Sequence, residues 1–395
     1  MFQHKKILLA VSGGVAAYRA AELARLLMKK GAKVRCVMTA AACEFVTPLT
    51  FAALTGEAVH TELFDLTAEQ EMGHIQLARW ADAVVVAPAT ANLLAKLAHG
   101  IADDLLTTMM QVCDAPVLLA PAMNGSMWKS AATQANAALL RERGVFMVPP
   151  ASGMLACGEQ GVGRLPELQV ILDALLPLLH APSLQGQHWV INAGPTVEAW
   201  DAVRTLSNRA SGTLGAAMAT WAAALGARVD LIAGIGTPAT PLAVQRHDVV
   251  STLEMLEQCE QCCDQSAKHV DCFVATAAVS DFRFAHVSSE KMKRKDTTEM
   301  AVALIANPDI VAHIAAMPKR PKKVVAFAAE SSNHLAYANE KLVRKGVDAI
   351  VANDVSNMGQ SRASGWWVTA KQAVAIEATS KQHFAYQLIQ KMMEE

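Results

Sequence analysis

Twice along this chain of 395 residues the same succession occurs: a short apolar run, a glycine-bearing turn and a longer segment of helical period. KKILLAV, Ser12-Gly13-Gly14 and VAAYRAAELARLLMKKG make the first instance; HWVINAG, a second glycine turn and TLGAAMATWAAALG make the second. Short β-branched runs that alternate with helical segments leave few ways to fold. The strands must be buried on both faces, which means parallel sheets covered by helices. Further strands are predicted at AKVRCVMT, ADAVVVAP, APVLLAPA and VFMVP, with helices at TANLLAKLA, AATQANAALLRERG and ELQVILDALLPLL. HAPSLQGQ reads as a polar linker. Beyond it ARVDLIA, VDCFVATAAV, KKVVAFAAE and VDAIVAND predict strands, TLEMLEQCEQC and QHFAYQLIQKMM helices, and residues 365–377 an edge hairpin. The length suits about two domains. Their expected limits are 1–180 and 186–395, both α/β and Rossmann-like.

Composition narrows the function. Hydrophobic residues make up 52% and charged residues 18%, so large-scale disorder is not expected. A net charge of −1 gives no global basic field, so no nucleic-acid partner is expected. No run reaches the roughly 18 apolar residues of a membrane helix. MFQHKKILLAVSGG reads as a first strand and not as a secretion signal. Eight cysteines without regular spacing suggest reduced thiols and a cytoplasmic location. Cys259, Cys262 and Cys263 form C-x-x-C-C on a predicted helix; packing is the plainer reading, and a zinc site lacks a second half here.

Candidate ligand residues gather where strands end. Ser12-Gly13-Gly14 precedes a helix, a place where backbone N–H groups favour phosphate. The second strand ends Val37-Met38-Thr39-Ala40, without the acid that usually holds a dinucleotide ribose, which disfavours NAD and fits a mononucleotide such as FMN. Gly73-His74-Ile75, PATAN (88–92) and PAMN (121–124) fall on the same edge. Asn92 is either a helix cap or a ligand residue, Asn124 a turn residue or a ligand residue. The stretch SGMLACGEQGVGR (152–164) has no helix or strand period and carries one thiol, Cys157, among four glycines. In the second half, Asn208 to Gly215 opens a helix, Asp281 follows a buried strand, KMKRK (291–295) is a basic cluster and Asn307-Pro308-Asp309-Ile310 starts another helix. Lys341 and Lys345 share one helix face, which suits a polyphosphate or a plain solvated surface.

SGGVAAY, GHI-x-L, PATANLLAKLAHGIADDLLTT, PAMNGSMW and ACGEQGVGR together resemble the flavin-dependent cysteine decarboxylases with a flavodoxin-like fold, and more narrowly the decarboxylase half of bifunctional coenzyme A biosynthesis proteins. The second domain resembles the phosphopantothenate–cysteine ligase half of the same family. The resemblance implies FMN held by Ser12, Gly13, Gly14, Thr39, Ala89, Thr90 and Asn92. It implies His74 as the base for substrate oxidation, Asn124 as the partner of the departing carboxylate and Cys157 as the proton donor. A thiol with its ordinary pKa near 8.5 is protonated at neutral pH and suits that role. In the ligase it implies 4′-phosphopantothenate, cysteine, CTP and Mg²⁺ as reactants, with an acyl-CMP intermediate. Asn208, Arg204, Ala277 and Ala278 would meet substrate, and Asp281, Lys291, Pro308, Asp309, Ile310, Phe327, Lys341 and Lys345 would meet CTP. Lys291 would also stabilise charge during activation. The metal ligands stay open. The family pattern G-P-T-R-E is broken by Val197, and Trp200 and Ala202 stand in an altered loop that follows. The resemblance further implies trimers of the flavin domain arranged as a dodecamer, with the ligase domains paired. Two other readings stand beside it: a regulatory flavoprotein without catalysis, and a nicotinamide oxidoreductase.

Overall fold

A computed structural model describes residues 1–63, 73–154, 158–264, 269–292, 300–330, 334–354, 360 and 362–394. The chain forms two compact units, Met1–Ala181 and Pro182–Glu395.

The first unit is built on a six-stranded, all-parallel sheet. Its spatial order is Val59–His60, Lys33–Met38, Lys6–Val11, Ala83–Ala89, Val117–Pro121 and Phe146–Met147. The chain leaves Lys6–Val11 in one direction along the sheet and later resumes on its other side at Ala83–Ala89. That reversal opens a crevice at the carboxyl ends of the strands. Every residue of Ala83–Ala89 is buried, as a strand covered on both faces requires. The helix Ala17–Lys29 turns Ala17, Ala20, Leu23, Ala24 and Leu27 inward, a spacing that makes one continuous stripe. Val59–His60 is too short to leave a hydrophobic period in the sequence, and its pairing comes from Cys36 and Val37 alongside.

The glycine-rich stretch differs from the loop that its sequence suggests. Ala151–Met154 and Gln160–Arg164 pair as an antiparallel hairpin. Glycine at 153, 161 and 163 removes the side-chain alternation by which a strand is read, while the backbone ladder forms regardless.

The second unit carries eight strands in the order Val244–Asp248, Arg228–Ala233, His188–Ala193, Cys272–Ala275, Lys323–Glu330, Ala349–Asp354, Arg362–Thr369 and Ala373–Ser380. The first six are parallel and the last two add as an antiparallel edge hairpin. The strand expected over VDCFVATAAV stops at Ala275. Thr276 then turns its N–H and hydroxyl onto the Asn192 carbonyl and the chain leaves the sheet. The glutamate of Gly194-Pro195-Thr196-Val197-Glu198 is buried, where its carboxylate accepts the N–H and hydroxyl of Thr252 at 3.0 and 2.7 Å. It thereby holds the start of the helix Thr252–Asp264, where a negative charge is favoured.

At the end of the first unit His180 follows the turn Leu176–Leu179. Burial, with Lys5 and the N-terminal amine nearby, pushes its pKa down from 6.5 to about 4. The unfolded chain therefore binds a proton more readily than the folded one. The stability due to neutral His180 is complete above about pH 6.5 and is lost as pH falls toward 4. The unfolding midpoint of the first unit is expected to drop between pH 7 and 4.5, and His180→Gln to flatten that drop. A pH profile unchanged in the variant would place the loss on other groups.

Candidate active sites

In the first unit a cavity of about 1200 Å³ opens at the switch point of the sheet. Ser12, Gly13 and Gly14 form its floor, where the first strand hands over to the helix Ala17–Lys29. Ser12 is buried; its hydroxyl donates to the Pro88 carbonyl at 2.8 Å and accepts the Thr90 N–H at 3.1 Å, tying the two central strand ends together. A Cβ on Gly13 would collide with Ala41, so the turn runs this close only with glycine. Thr39 caps the short helix Ala40–Cys43 and Thr90 caps Ala91–His99 through the N–H of Leu93. Because Thr90 takes the cap, Asn92 is free of that task and stands exposed on the cavity wall. Ala89 lies behind the wall, in the buried strand, with its carbonyl accepting from the Ala122 N–H.

The PAMN turn faces them. Asn124 Oδ1 accepts the Ser126 N–H at 2.8 Å, and its Nδ2 donates to Glu159 at 3.3 Å. The Met123 N–H donates to the Gly163 carbonyl at 2.9 Å, and a Cβ on Gly163 would strike the Met123 carbonyl. The hairpin is thus laid directly on the PAMN turn, with Met154, Gly163 and Arg164 on the cavity wall. Cys157 itself lies outside the described residues, between the two hairpin strands. His74 heads the helix His74–Trp80 and is not on the wall of this cavity. Two cations that the sequence reading passed over do line it: Arg19, paired with Glu167 at 3.0 Å, and Lys96, paired with Asp103 at 2.7 Å. Neither stands in a glycine turn or at a strand end, where ligand residues are sought. Hydroxyls and a helix start at one end, with Val15, Leu93, Met123, Met127 and Leu165 around the rest, fit a phosphorylated ligand with a large flat ring system that is apolar over its faces and one edge, as in FMN.

The second unit has a crevice of about 480 Å³ at the same relative place. Its lining brings together Asn208, Ala277, Ala278, Asp281, Pro308, Asp309, Ile310, Phe327 and Lys345, with the helix start Gly212-Thr213 between them. Asn208 Nδ2 donates to the carbonyls of Ala278 and Val279, at 3.0 and 3.1 Å. It shapes the turn, and it can donate to a carboxylate only by exchanging those bonds. Asp309 caps the helix Ile310–Ala315 and pairs with Lys345 at 2.9 Å. Burial alone would raise its pKa; the Lys345 ammonium outweighs that and holds it below the ordinary value. Lys381 and Asn353 also line the crevice and were not anticipated, since each stands alone in its stretch. Burial lowers the Lys381 pKa.

Lys341, Arg204 and Lys291 are not on the crevice wall. Lys341 lies on the helix His334–Lys345, one turn before Lys345. Arg204 is held within its own chain. It makes a two-pronged pair with Asp201, donates to the Met292 carbonyl at 2.8 Å and lies over the Trp200 ring at 4.0 Å. Trp200 in turn stacks on Phe284. Asp201 also accepts the N–H groups of Val203, Arg204 and Met292, and the Arg204 bond above all drives its pKa well below the usual range. Lys291 is exposed, one residue before this anchor. The altered loop is therefore a built structure: Val197–Ala199 pairs with Thr205–Ser207, and Trp200 is its packing centre. In C-x-x-C-C, Cys259 and Cys263 are buried core thiols with pKa values pushed up by desolvation.

Residues 1–180 match the family described as Flavoprotein, and residues 184–395 match the DNA/pantothenate metabolism flavoprotein C-terminal domain. The chain is 43% identical to the coenzyme A biosynthesis bifunctional protein CoaBC of Vibrio parahaemolyticus, across 99% of this chain and 98% of that one. It is 45% identical to the protein of the same name from Escherichia coli K12, across 90% and 87%. Among solved structures, the C-terminal domain of a coenzyme A biosynthesis bifunctional protein CoaBC aligns with 54% of this chain and 97% of its own, at 30% identity and a TM-score of 0.46. With both halves matched, and one relative matched over almost its whole length, the chain belongs to the coenzyme A biosynthesis bifunctional proteins, flavoprotein enzymes that join a phosphopantothenoylcysteine decarboxylase to a phosphopantothenate–cysteine ligase.

Proposed function

We propose that the second unit joins cysteine to 4′-phosphopantothenate at the expense of CTP, and that the first unit decarboxylates the product to 4′-phosphopantetheine with FMN, in the cytoplasm. The observation that supports the decarboxylase half is the docking of the strands Ala151–Met154 and Gln160–Arg164 on the PAMN turn, with Met154, Gly163 and Arg164 on the cavity wall. FMN, when bound, would accept two electrons from the substrate, without which loss of carbon dioxide would leave an unstabilised carbanion, and would hand them back to the decarboxylated product, so that 4′-phosphopantetheine forms with no net oxidation. The chain supplies the rest. The Asn124 amide orients the substrate carboxylate in place of Glu159. His74, which a single chain does not place on this cavity wall, would take the proton released as the substrate is oxidised once assembly brings it to a site. Cys157 returns a proton to the decarboxylated product.

In the ligase, the substrate carboxylate attacks the α-phosphate of CTP, releasing pyrophosphate and leaving an acyl-CMP. The cysteine amine then displaces CMP. The helix start at Gly212-Thr213 and the crevice cations Lys345 and Lys381 suit a polyphosphate, with Lys341 one turn before Lys345 on the same helix, off the crevice wall. Mg²⁺ arriving with the nucleotide adds charge neutralisation. Lys291, anchored beside Met292, stabilises the charge that builds during activation. Assembly belongs to this reading, with flavin-unit trimers in a dodecamer and paired ligase units. Val15 and Tyr18 on the cavity rim, with Phe45 and Leu49 beyond, are exposed apolar side chains that favour contact with another copy.

Purified protein is expected to be yellow, with one FMN per chain by absorbance. Colourless protein that takes up no added flavin would overturn the decarboxylase reading. Cys157→Ser should release carbon dioxide yet form 4′-phosphopantetheine about 100-fold more slowly or worse, the size of effect expected for a proton donor. Normal turnover would remove Cys157 from that role. Lys291→Gln should cut the ligase kcat by roughly 100-fold with CTP binding little changed, and leave decarboxylation of supplied intermediate intact. Equal damage to both reactions would contradict separate sites. Substituting ATP for CTP in the same ligase assay reads the nucleotide preference directly.

A further inference from the structure

One face of the second sheet carries polar residues for which neither reaction has a use. His188, Asp230 and His247 sit on three neighbouring parallel strands. In register His188 lies opposite Arg228, Asp230 opposite Val190 and Gln245, and His247 opposite Ile232. Each step to the next strand advances two residues, so all three side chains point to the same face. The Asp230 side chain is only 2% exposed. One of its oxygens meets His188 Nε2 and the other meets His247 Nε2, both at 2.7 Å. The helix Thr252–Asp264 covers them and brings Cys262 Sγ to 3.8 Å from that same His247 nitrogen. Gln258, one turn earlier, donates to the sulfur at 3.5 Å. Ligand atoms of Asp230, His247 and Cys262 all lie within 4.8 Å of one another.

We propose that Asp230, His247 and Cys262 form a three-ligand site for a zinc-class divalent ion, separate from the nucleotide crevice. One thiol, one imidazole and one carboxylate make a mixed donor set that suits Zn²⁺ and its analogues, whereas Mg²⁺ and Ca²⁺ prefer oxygen alone. Bond lengths of about 2.0–2.3 Å in a tetrahedron put ligand atoms roughly 3.3–3.6 Å apart. The 3.8 Å Cys262–His247 separation is already close to that, and the 2.7 Å Asp230–His247 pair opens by roughly 0.6–0.9 Å. His188 holds the other carboxylate oxygen from inside the core, as an outer partner that fixes the ligand's orientation. His247 is 22% exposed and Cys262 half-buried, so the ion has a route in from solvent. A carboxylate this deep calls for compensating charge. Its guanidinium neighbour, Arg228, stands off at 3.7 Å with a side chain 63% exposed, and can swing clear. Three protein ligands leave a fourth position for water or an exogenous anion. The C-x-x-C-C run thus finds its missing half on the strands. Cys259 and Cys263 face the core, and Cys262 is the member turned toward Asp230 and His247. None of the four residues lines the nucleotide crevice.

The test uses full-length, reduced, flavin-loaded protein stripped with a chelator and titrated with Co²⁺, then with Zn²⁺ in competition. One Co²⁺ per chain is expected, with a thiolate-to-cobalt charge-transfer band in the difference spectrum that Zn²⁺ abolishes. Cys262→Ser should remove the band, and His247→Gln should weaken binding by at least about tenfold. His188→Gln should weaken binding by about 10–100-fold while keeping the band, as an outer partner does. His247 lies on the edge strand and is partly exposed, so its variant carries the test if Cys262→Ser does not fold. A band that persists in Cys262→Ser, or Co²⁺ uptake the same in His247→Gln as in the parent protein, would overturn the site.

Discussion

A parallel strand covered by helices on both faces has no side-chain position where a polar group can reach water. Polar work is therefore confined to the strand ends, and this constraint organises both units. In the first, Ser12, Thr39, Thr90 and Asn124 all stand just beyond the carboxyl ends of strands, and the three central strands Lys6–Val11, Ala83–Ala89 and Val117–Pro121 have wholly apolar interiors. In the second, Thr276 to Asp281 and Asn307 to Ile310 occupy the equivalent rim. Two unlike reactions can share one architecture because the sheet dictates where chemistry is possible and leaves open which chemistry it is.

The same constraint makes the polar line under Thr252–Asp264 conspicuous. A carboxylate in the middle of Arg228–Ala233 should be costly, and two imidazoles and a thiol are gathered around it. Val244–Asp248 is the edge strand of that sheet, which gives His247 its partial exposure and makes a polar cluster tolerable there.

The long strands and helices were readable because their burial imposes period or β-branched runs on the sequence. What escaped reading was set by partners distant in the chain. Val244–Asp248 has hardly any apolar content and becomes a strand because Arg228–Ala233 offers it a ladder. The hairpin around Cys157 has glycines where a period would show. For the sites, the glycine turns and strand-end asparagines were legible, since backbone geometry demands them. Which group caps a helix was not: Thr90 and not Asn92 takes that place, and only coordinates separate the two. Lys381 and Lys96 reach their crevices from helices in which a single lysine reads as an ordinary solvated residue. His74 and Arg204 show the opposite limit. Motifs identified them, yet a single chain places neither on a crevice wall.

The anchor at Asp201 has a mechanical consequence. Its carboxylate, with a fully buried side chain, accepts from three backbone N–H groups and from the guanidinium of Arg204. Met292 is gripped on both its N–H and its carbonyl. The backbone root of Lys291 is therefore fixed to within one residue, and the ammonium explores space chiefly by turning its own four-carbon stem. Its reach is that of a tethered probe of set length. Loop-closure entropy, which usually taxes a charge carried on a long connection, is then spent largely when the chain folds, and little of it remains to be lost if the ammonium is later held in place.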